Sequence, residues 1–239
     1  MLQYKPSGDS AFIIKVGDEI SEEINQTVRK LLVCIEQKKI HGLIDFIPSY
    51  NELMICYDPL LIGYSKLLDT IRSLVDGVEK IVLPESSVIH VPIRYGGDFG
   101  PDLNEVADIN GLSVDEIIKI HSSASYLVYM LGFTPGFCYL GGMDKRIATP
   151  RKQTPRLKIP AGTVGIADQQ TGIYPVESPG GWQLIGQTPL RLFDPGRKPE
   201  FLFQQGDSIQ FHAITDDDFK RISDEVNRET YCVEISKQP

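Results

Sequence analysis

The residues with the most obvious chemical capacity lie between Lys145 and Lys158, in the run KRIATPRKQTPRLK, where six cations occur in fourteen residues with no acid among them. Several guanidinium forks in one segment match phosphate or carboxylate geometry. Pro150, Pro155 and Pro160 stiffen the backbone, so Arg151, Arg156 and Lys158 would be presented to an anion on a preorganised segment. The plain alternative is a solvated basic loop. A second candidate is the stretch from Gly132 to Gly142, whose glycines permit close backbone approach and whose Phe133, Phe137 and Tyr139 offer flat apolar surfaces. It reads either as a ligand wall or as a tight barrel corner with core aromatics. The third is Ser178-Pro-Gly-Gly-Trp182, preceded by Gln170 and Glu177. Polar side chains there would position a small amide-bearing ligand, with Glu177 the candidate general base and His121 the candidate acid or base. A lone His at the end of an amphipathic helix is more often structural.

Several chemistries are excluded by pattern. There is no G-x-x-x-x-G-K-[ST] phosphate loop and no Ser-His-Asp order. Cys34, Cys56, Cys138 and Cys232 form no C-x-x-C pair, and His41, His90, His121 and His212 fall at no ligand spacing, so no protein-built metal site is expected. Cys138, without an assignable His partner, reads as a packing residue. The chain has 239 residues and a net charge of −8, which argues against a broad footprint for nucleic acid or an anionic membrane. No apolar run reaches the length of a bilayer span, and no secretory leader is read at the N-terminus, so a cytoplasmic protein is expected.

The elements that must position these residues fall into two expected domains, 1–83 and 84–239, with a polar Pro84-Glu-Ser-Ser junction. In the first, alternation at Phe12, Ile14 and Val16 marks a strand. Ser21 caps a helix whose stripe is Ile20, Ile24, Val28, Leu31 and Ile35. Leu43–Ile47 and Leu53–Tyr57 form a hairpin, and a second helix ends at Asp76-Gly77. With a last strand ending near Val82, the order is that of an α+β, ferredoxin-like split βαβ sandwich. In the second domain, residues 132–196 hold 11 of the 21 glycines and 8 of the 16 prolines. That density excludes long helices there and favours short strands in a barrel or sandwich. Two helices precede it, opened by the cap-x-x-Glu pairs Asp102/Glu105 and Ser113/Glu116. A last helix follows Thr215.

The stretches YMLGFTPGFCYLGGMD and TPRLKIPAGTVGIADQQTGIYPVESPGGWQLIGQTPLRLFDP, with the earlier IRYGGDFGPDL, resemble the KipI family, whose members are also called allophanate hydrolase subunit 1 or the B subunit of 5-oxoprolinase. The resemblance covers nearly the whole chain and is most specific over residues 90–196. It departs from the family pattern at Cys138 and Asp168. It implies a small α+β domain followed by a mainly-β cyclophilin-like barrel, in a subunit that works with subunits A and C in an ATP-dependent 5-oxoprolinase, with Mg accompanying the ATP. That enzyme opens 5-oxoproline to L-glutamate, and the subunit is expected to be inactive alone. Arg151, Arg156 and Lys158 would then neutralise phosphate or substrate carboxylate. The resemblance also implies a second role, inhibition of a sporulation sensor histidine kinase, antagonised by a KipA-like partner. A groove lined by Phe133, Phe137 and Trp182 would be its surface. A purely regulatory protein with no catalytic role is the alternative.

Overall fold

The computed structural model describes residues 2–237. Two compact units meet in sequence between Glu85 and Ser86, two residues beyond the expected junction.

The N-terminal unit is a four-stranded antiparallel sheet with two helices: β1 (Gln3–Pro6), β2 (Ala11–Lys15), α1 (Glu22–Glu36), β3 (Leu43–Pro48), β4 (Glu52–Tyr57) and α2 (Tyr64–Val75). The Ser21 hydroxyl accepts the Ile24 N–H at 3.3 Å and opens α1, as its sequence pattern requires. Period-2 alternation sends Phe12, Ile14, Leu53 and Ile55 into one core with Val28, Leu31, Leu67 and Ile71 of the helices. The sheet order β1-β2-β4-β3 corrects one expectation. Among the described residues of this unit no strand follows α2, and Val82 is almost fully exposed. The edge place that a ferredoxin-like fold gives to a strand after the second helix is taken instead by β1, with Tyr4 opposite Ile14. The cause is the turn Ser7-Gly-Asp-Ser10: Gly8 adopts a φ of +67°, and Ser7 N–H reaches Ala11 O at 2.9 Å.

The C-terminal unit contains β5 (Ser87–Tyr95), α3 (Leu103–Asn110), α4 (Val114–Ser123), β6 (Ser125–Leu131), β7 (Cys138–Gly141), β8 (Arg156–Ile159), β9 (Thr163–Ala167), β10 (Gln170–Ile173), β11 (Ser178–Gly180), β12 (Gln183–Gln187), β13 (Ser208–Ala213), α5 (Asp216–Asn227) and β14 (Ile235–Lys237). Seven strands close into a barrel in the order β5-β12-β9-β10-β7-β6-β13, and β13 returns to pair in parallel with β5. β14 takes the part of the β5 edge that β12 leaves free. β8 and β11 form a separate two-stranded ribbon. Alternation divides the barrel residues between two clusters. Cys138, Leu140, Val164, Ile166 and Ile173 enter the main core, while Phe137, Ala167, Tyr174, Trp182 and Leu184 form a second, aromatic cluster with Ile159 of β8. A Cβ at Gly172 would stand 3.1 Å from the Trp182 ring and 3.2 Å from Phe137, so glycine there makes room for both rings. Among the described residues no helix is long and apolar enough to cross a membrane.

Candidate functional site

The cationic segment, free of acids in sequence, meets acids in space. Arg146 pairs with Asp144 at 2.6 Å, Lys158 with Glu177 at 3.0 Å, Arg151 with Asp168 at 3.7 Å and Arg156 with Asp102 at 2.7 Å. Lys152 bridges Asp102, at 3.0 Å, and Glu105. The centre of this arrangement is Asp102, whose side chain is 5% exposed. Its Oδ1 accepts from Arg156 and Lys152, and its Oδ2 accepts the Leu184 N–H at 2.7 Å. Burial alone would raise this carboxyl, but the bonds from Arg156, Leu184 N–H and Lys152 hold it below the usual carboxylate range. Asp102 therefore makes no capping bond for α3, whereas Ser113 and Glu116 form the expected reciprocal capping box on α4.

Residues 150–156 run along residues 180–184. Lys152 N–H donates to Gly181 O at 2.7 Å, Gly180 stands opposite Arg156, and Gln183 Nε2 donates to Pro150 O at 3.1 Å. This juxtaposition brings together Arg151, Arg156, Tyr174, Trp182 and Gln183. The Arg151 guanidinium lies 5.9 Å from the Trp182 ring centroid, and its pair with Asp168 is long and exposed on both sides. Arg156 Nη1, Gln183 Oε1 and Ser178 Oγ are buried, and none of these atoms has a hydrogen-bond partner among the described residues. Burial pushes the Tyr174 phenol up to about 12, although the Trp182 N–H and the charges of Arg151 and Arg156 act against that rise. The ensemble offers an unspent guanidinium N–H, a stacked guanidinium and an amide acceptor. That set suits a ligand carrying an anionic group beside an N–H donor.

Other expected site residues lie elsewhere or serve structure. His121 is wholly buried, stacked on Phe211 with ring centroids 4.7 Å apart. Its Nδ1 is 2.8 Å from the Tyr95 hydroxyl and its Nε2 is 2.9 Å from Thr171 Oγ1. Because the Thr171 hydroxyl donates to Gly165 O at 3.1 Å, it accepts from His121 Nε2–H, which leaves Nδ1 to accept from Tyr95. Desolvation pushes the imidazole down to about 3. A neutral ring with both nitrogens engaged inside the barrel is a core element, which corrects its expected role as an acid or base. Glu177 is exposed on the surface with Lys158, so the two expected catalytic groups do not form a pair. Gln170 is partly buried at the start of β10, opposite Ala167. The expected aromatic groove is also corrected. Phe137 and Trp182 are 2% and 6% exposed within the second cluster, and only Phe133, 65% exposed at a φ of +66°, faces solvent. Burial pushes the Cys138 thiol up to about 12. Among the described residues no three His, Cys, Asp or Glu side chains are placed to hold a metal ion.

Gln183, Asp102 and Tyr174 carried no signal that singled them out in sequence. Gln183 follows the only tryptophan, Asp102 resembles a helix cap, and Tyr174 sits among turn residues.

Residues 2–203 match the family model described as carboxyltransferase domain, subdomain C and D. The B subunit of 5-oxoprolinase from Bacillus subtilis (strain 168) is 46% identical over 235 residues, covering 94% of this chain and 98% of that protein. Among solved structures, TTHA0988 superposes with a TM-score of 0.77 at 35% identity, over 90% of this chain and 40% of its own. Kluyveromyces lactis urea carboxylase gives a TM-score of 0.79 at 19% identity, over 99% of this chain and 24% of its own, a likeness that bears on the fold alone. The chain thus spans less than half the length of either solved chain. Its match along residues 2–203 and its near full-length relative place it in one family: the chain belongs to the carboxyltransferase subdomain C and D family, among the 5-oxoprolinase B subunits.

Proposed function

We propose that this chain is the B subunit of an ATP-dependent assembly that opens 5-oxoproline to L-glutamate, and that it binds the substrate or its phosphorylated form through Arg151, Arg156 and Gln183. The observation that carries this reading is that Arg156 Nη1 and Gln183 Oε1 are buried without hydrogen-bond partners among the described residues, on the two stretches that also carry Arg151 and the Trp182 ring it approaches. 5-Oxoproline presents a carboxylate, an acceptor for Arg156, next to a lactam N–H, a donor for Gln183 Oε1. A five-membered lactam is resonance-stabilised and a poor electrophile, so phosphorylation of its oxygen makes attack by water at the carbonyl feasible. The guanidinium groups would stabilise the charge that accumulates. Lys158 is engaged with Glu177 at the surface, and the proposal does not use it. ATP and its magnesium are assigned to the assembly, with partner subunits of the A and C type, and to no residue of this chain. The subunit alone is then inactive.

The test is lactam-dependent ADP release by the reconstituted assembly. Arg151→Ala, which gives up an exposed ion pair with Asp168 and a 5.9 Å contact with the Trp182 ring, should fold normally and lose roughly tenfold or more in rate. Gln183→Leu should raise KM for the lactam. Unchanged kinetics in both variants would return the segment to a solvated loop.

A regulatory reading, inhibition of a sporulation sensor histidine kinase, rests on Phe133, the one exposed ring of the expected groove. It requires that Phe133→Ala weaken inhibition while lactam hydrolysis persists. Equal inhibition by wild type and variant would remove its basis.

A further inference from the structure

A cleft of about 410 Å³ opens in the C-terminal unit between the 190–202 segment and the chain leaving α5. It includes none of the residues assigned above. Its apolar wall is Leu190, Leu202, Val226 and Val233, with Tyr231 beside them. Four charged side chains also line it, and they are not equivalent. Arg191 and Asp194 pair at 3.1 Å, Asp194 also accepts the Gly196 N–H at 2.9 Å, and these contacts, with the nearby Arg197 charge, hold the Asp194 carboxyl below its ordinary value. Arg197 is different. Its guanidinium is fixed by the backbone carbonyls of Arg191, Leu192, Pro199 and Glu200, at 3.2–3.4 Å, and forms no ion pair with a carboxylate among the described residues. Glu229, just past the end of α5, makes neither a hydrogen bond nor an ion pair through its carboxylate among the described residues.

One cleft therefore contains a preorganised cation and a free anion, held apart rather than paired, against an apolar wall. Unpaired opposite charges that do not reach each other are complementary to a ligand carrying both signs. The volume is at the small end of the range for small-molecule sites. We propose that this cleft binds a free α-amino acid with an apolar side chain. The carboxylate sits on Arg197, the ammonium faces Glu229, and the side chain lies along Leu190, Leu202, Val226 and Val233. A backbone-anchored guanidinium loses little freedom on binding, which favours recognition by Arg197. The exposed Glu229 supplies the discrimination against simple carboxylates.

Isothermal titration of the full chain with L-leucine tests the assignment, with 4-methylpentanoate, which lacks the ammonium, and leucinamide, which lacks the carboxylate, as comparison ligands. Saturable binding of leucine, weakened roughly tenfold or more in either comparison ligand, is expected. Arg197→Gln releases the 191–200 loop and would confound a loss of binding with a loss of local structure. Glu229→Gln removes no hydrogen bond and serves as the decisive variant. It should weaken leucine while leaving 4-methylpentanoate unchanged. Absence of saturable leucine binding, or equal binding of leucine by wild type and Glu229→Gln, overturns the proposal.

Discussion

The buried imidazole of His121 makes a quantitative prediction. The ring is neutral in the folded barrel, pushed down to about 3, whereas in the unfolded chain it titrates near 6.5. Below 6.5 the unfolded state binds a proton that the folded state refuses, so stability falls as pH is lowered, with the loss continuing until the folded value is reached. Taken with these two values, the linkage from about pH 7 to pH 4.5 removes about 2–3 kcal/mol of stability through this one group. The perturbation is His121→Gln. At neutral pH the variant should be the less stable, because Tyr95 and Thr171 lose a buried partner, at about 1–3 kcal/mol each. On acidification the gap should close by about 2–3 kcal/mol, since only the wild type carries the buried imidazole. Carboxylates titrate in both proteins and cancel in the difference. Urea unfolding followed by fluorescence is a clean assay, because Trp182 is the sole tryptophan and reports on the barrel unit alone. Parallel pH dependences for the two proteins would refute the reasoning and show that His121 is accessible to protons in the native state.

Asp102→Asn should cost about 3–5 kcal/mol in the same urea assay, because a buried carboxylate that holds Arg156, Lys152 and Leu184 N–H is removed from its partners. Glu105→Gln, at the exposed side of the same cluster, should cost no more than about 1 kcal/mol. Thiol alkylation at mildly alkaline pH should modify exposed Cys232 first, while buried Cys138 reacts only on unfolding; mass mapping of the modified peptides checks the order. Expressed separately, residues 1–85 and 86–239 should each melt cooperatively by calorimetry, the smaller with the narrower margin.

What could be read from the sequence was local in origin. Ser113 and Glu116 cap α4 because both partners of the box lie within one turn, and glycine and proline density at 132–196 announces short strands for the same reason. The same local rule misassigns Asp102. Its carboxylate is drawn from the helix end to Arg156, 54 residues away, and to Leu184 N–H, 82 residues away. Charge counted along 145–158 fails for the same reason, since the acids that neutralise it arrive from α3, from Asp168 and from Glu177. In the N-terminal sheet two signals compete. The apolar residues up to Val82 read as a last strand, yet the turn at Ser7 to Ser10, which creates the β1–β2 hairpin, decides the order. His121 lies beyond any local rule, because its burial follows from Tyr95 of β5, Thr171 of β10 and Phe211 of β13, which the sheet brings onto the ring.

The glycines of the barrel wall link fold and site more closely than turn chemistry alone. Alternation along β7 and β10 puts Cys138, Leu140 and Ile173 in the main core and leaves Phe137, Tyr139 and Tyr174 for the opposite side. A wall built entirely of large side chains would hold this second layer away from the strands. Gly172 removes the obstruction: the rings of Phe137 and Trp182 descend to the backbone and meet edge to face, at 5.6 Å and an interplanar angle of 88°. Trp182 seated in this way cannot shift without losing its contacts with Phe137 and Tyr174, and it carries the Arg151 guanidinium on its outer face. On the following residue, Gln183 is fixed between Pro150 O and Glu105 with Oε1 unspent. The precision of the anion-binding end thus derives from aromatic packing in the barrel wall rather than from the basic loop, whose own charges are mostly occupied by acids.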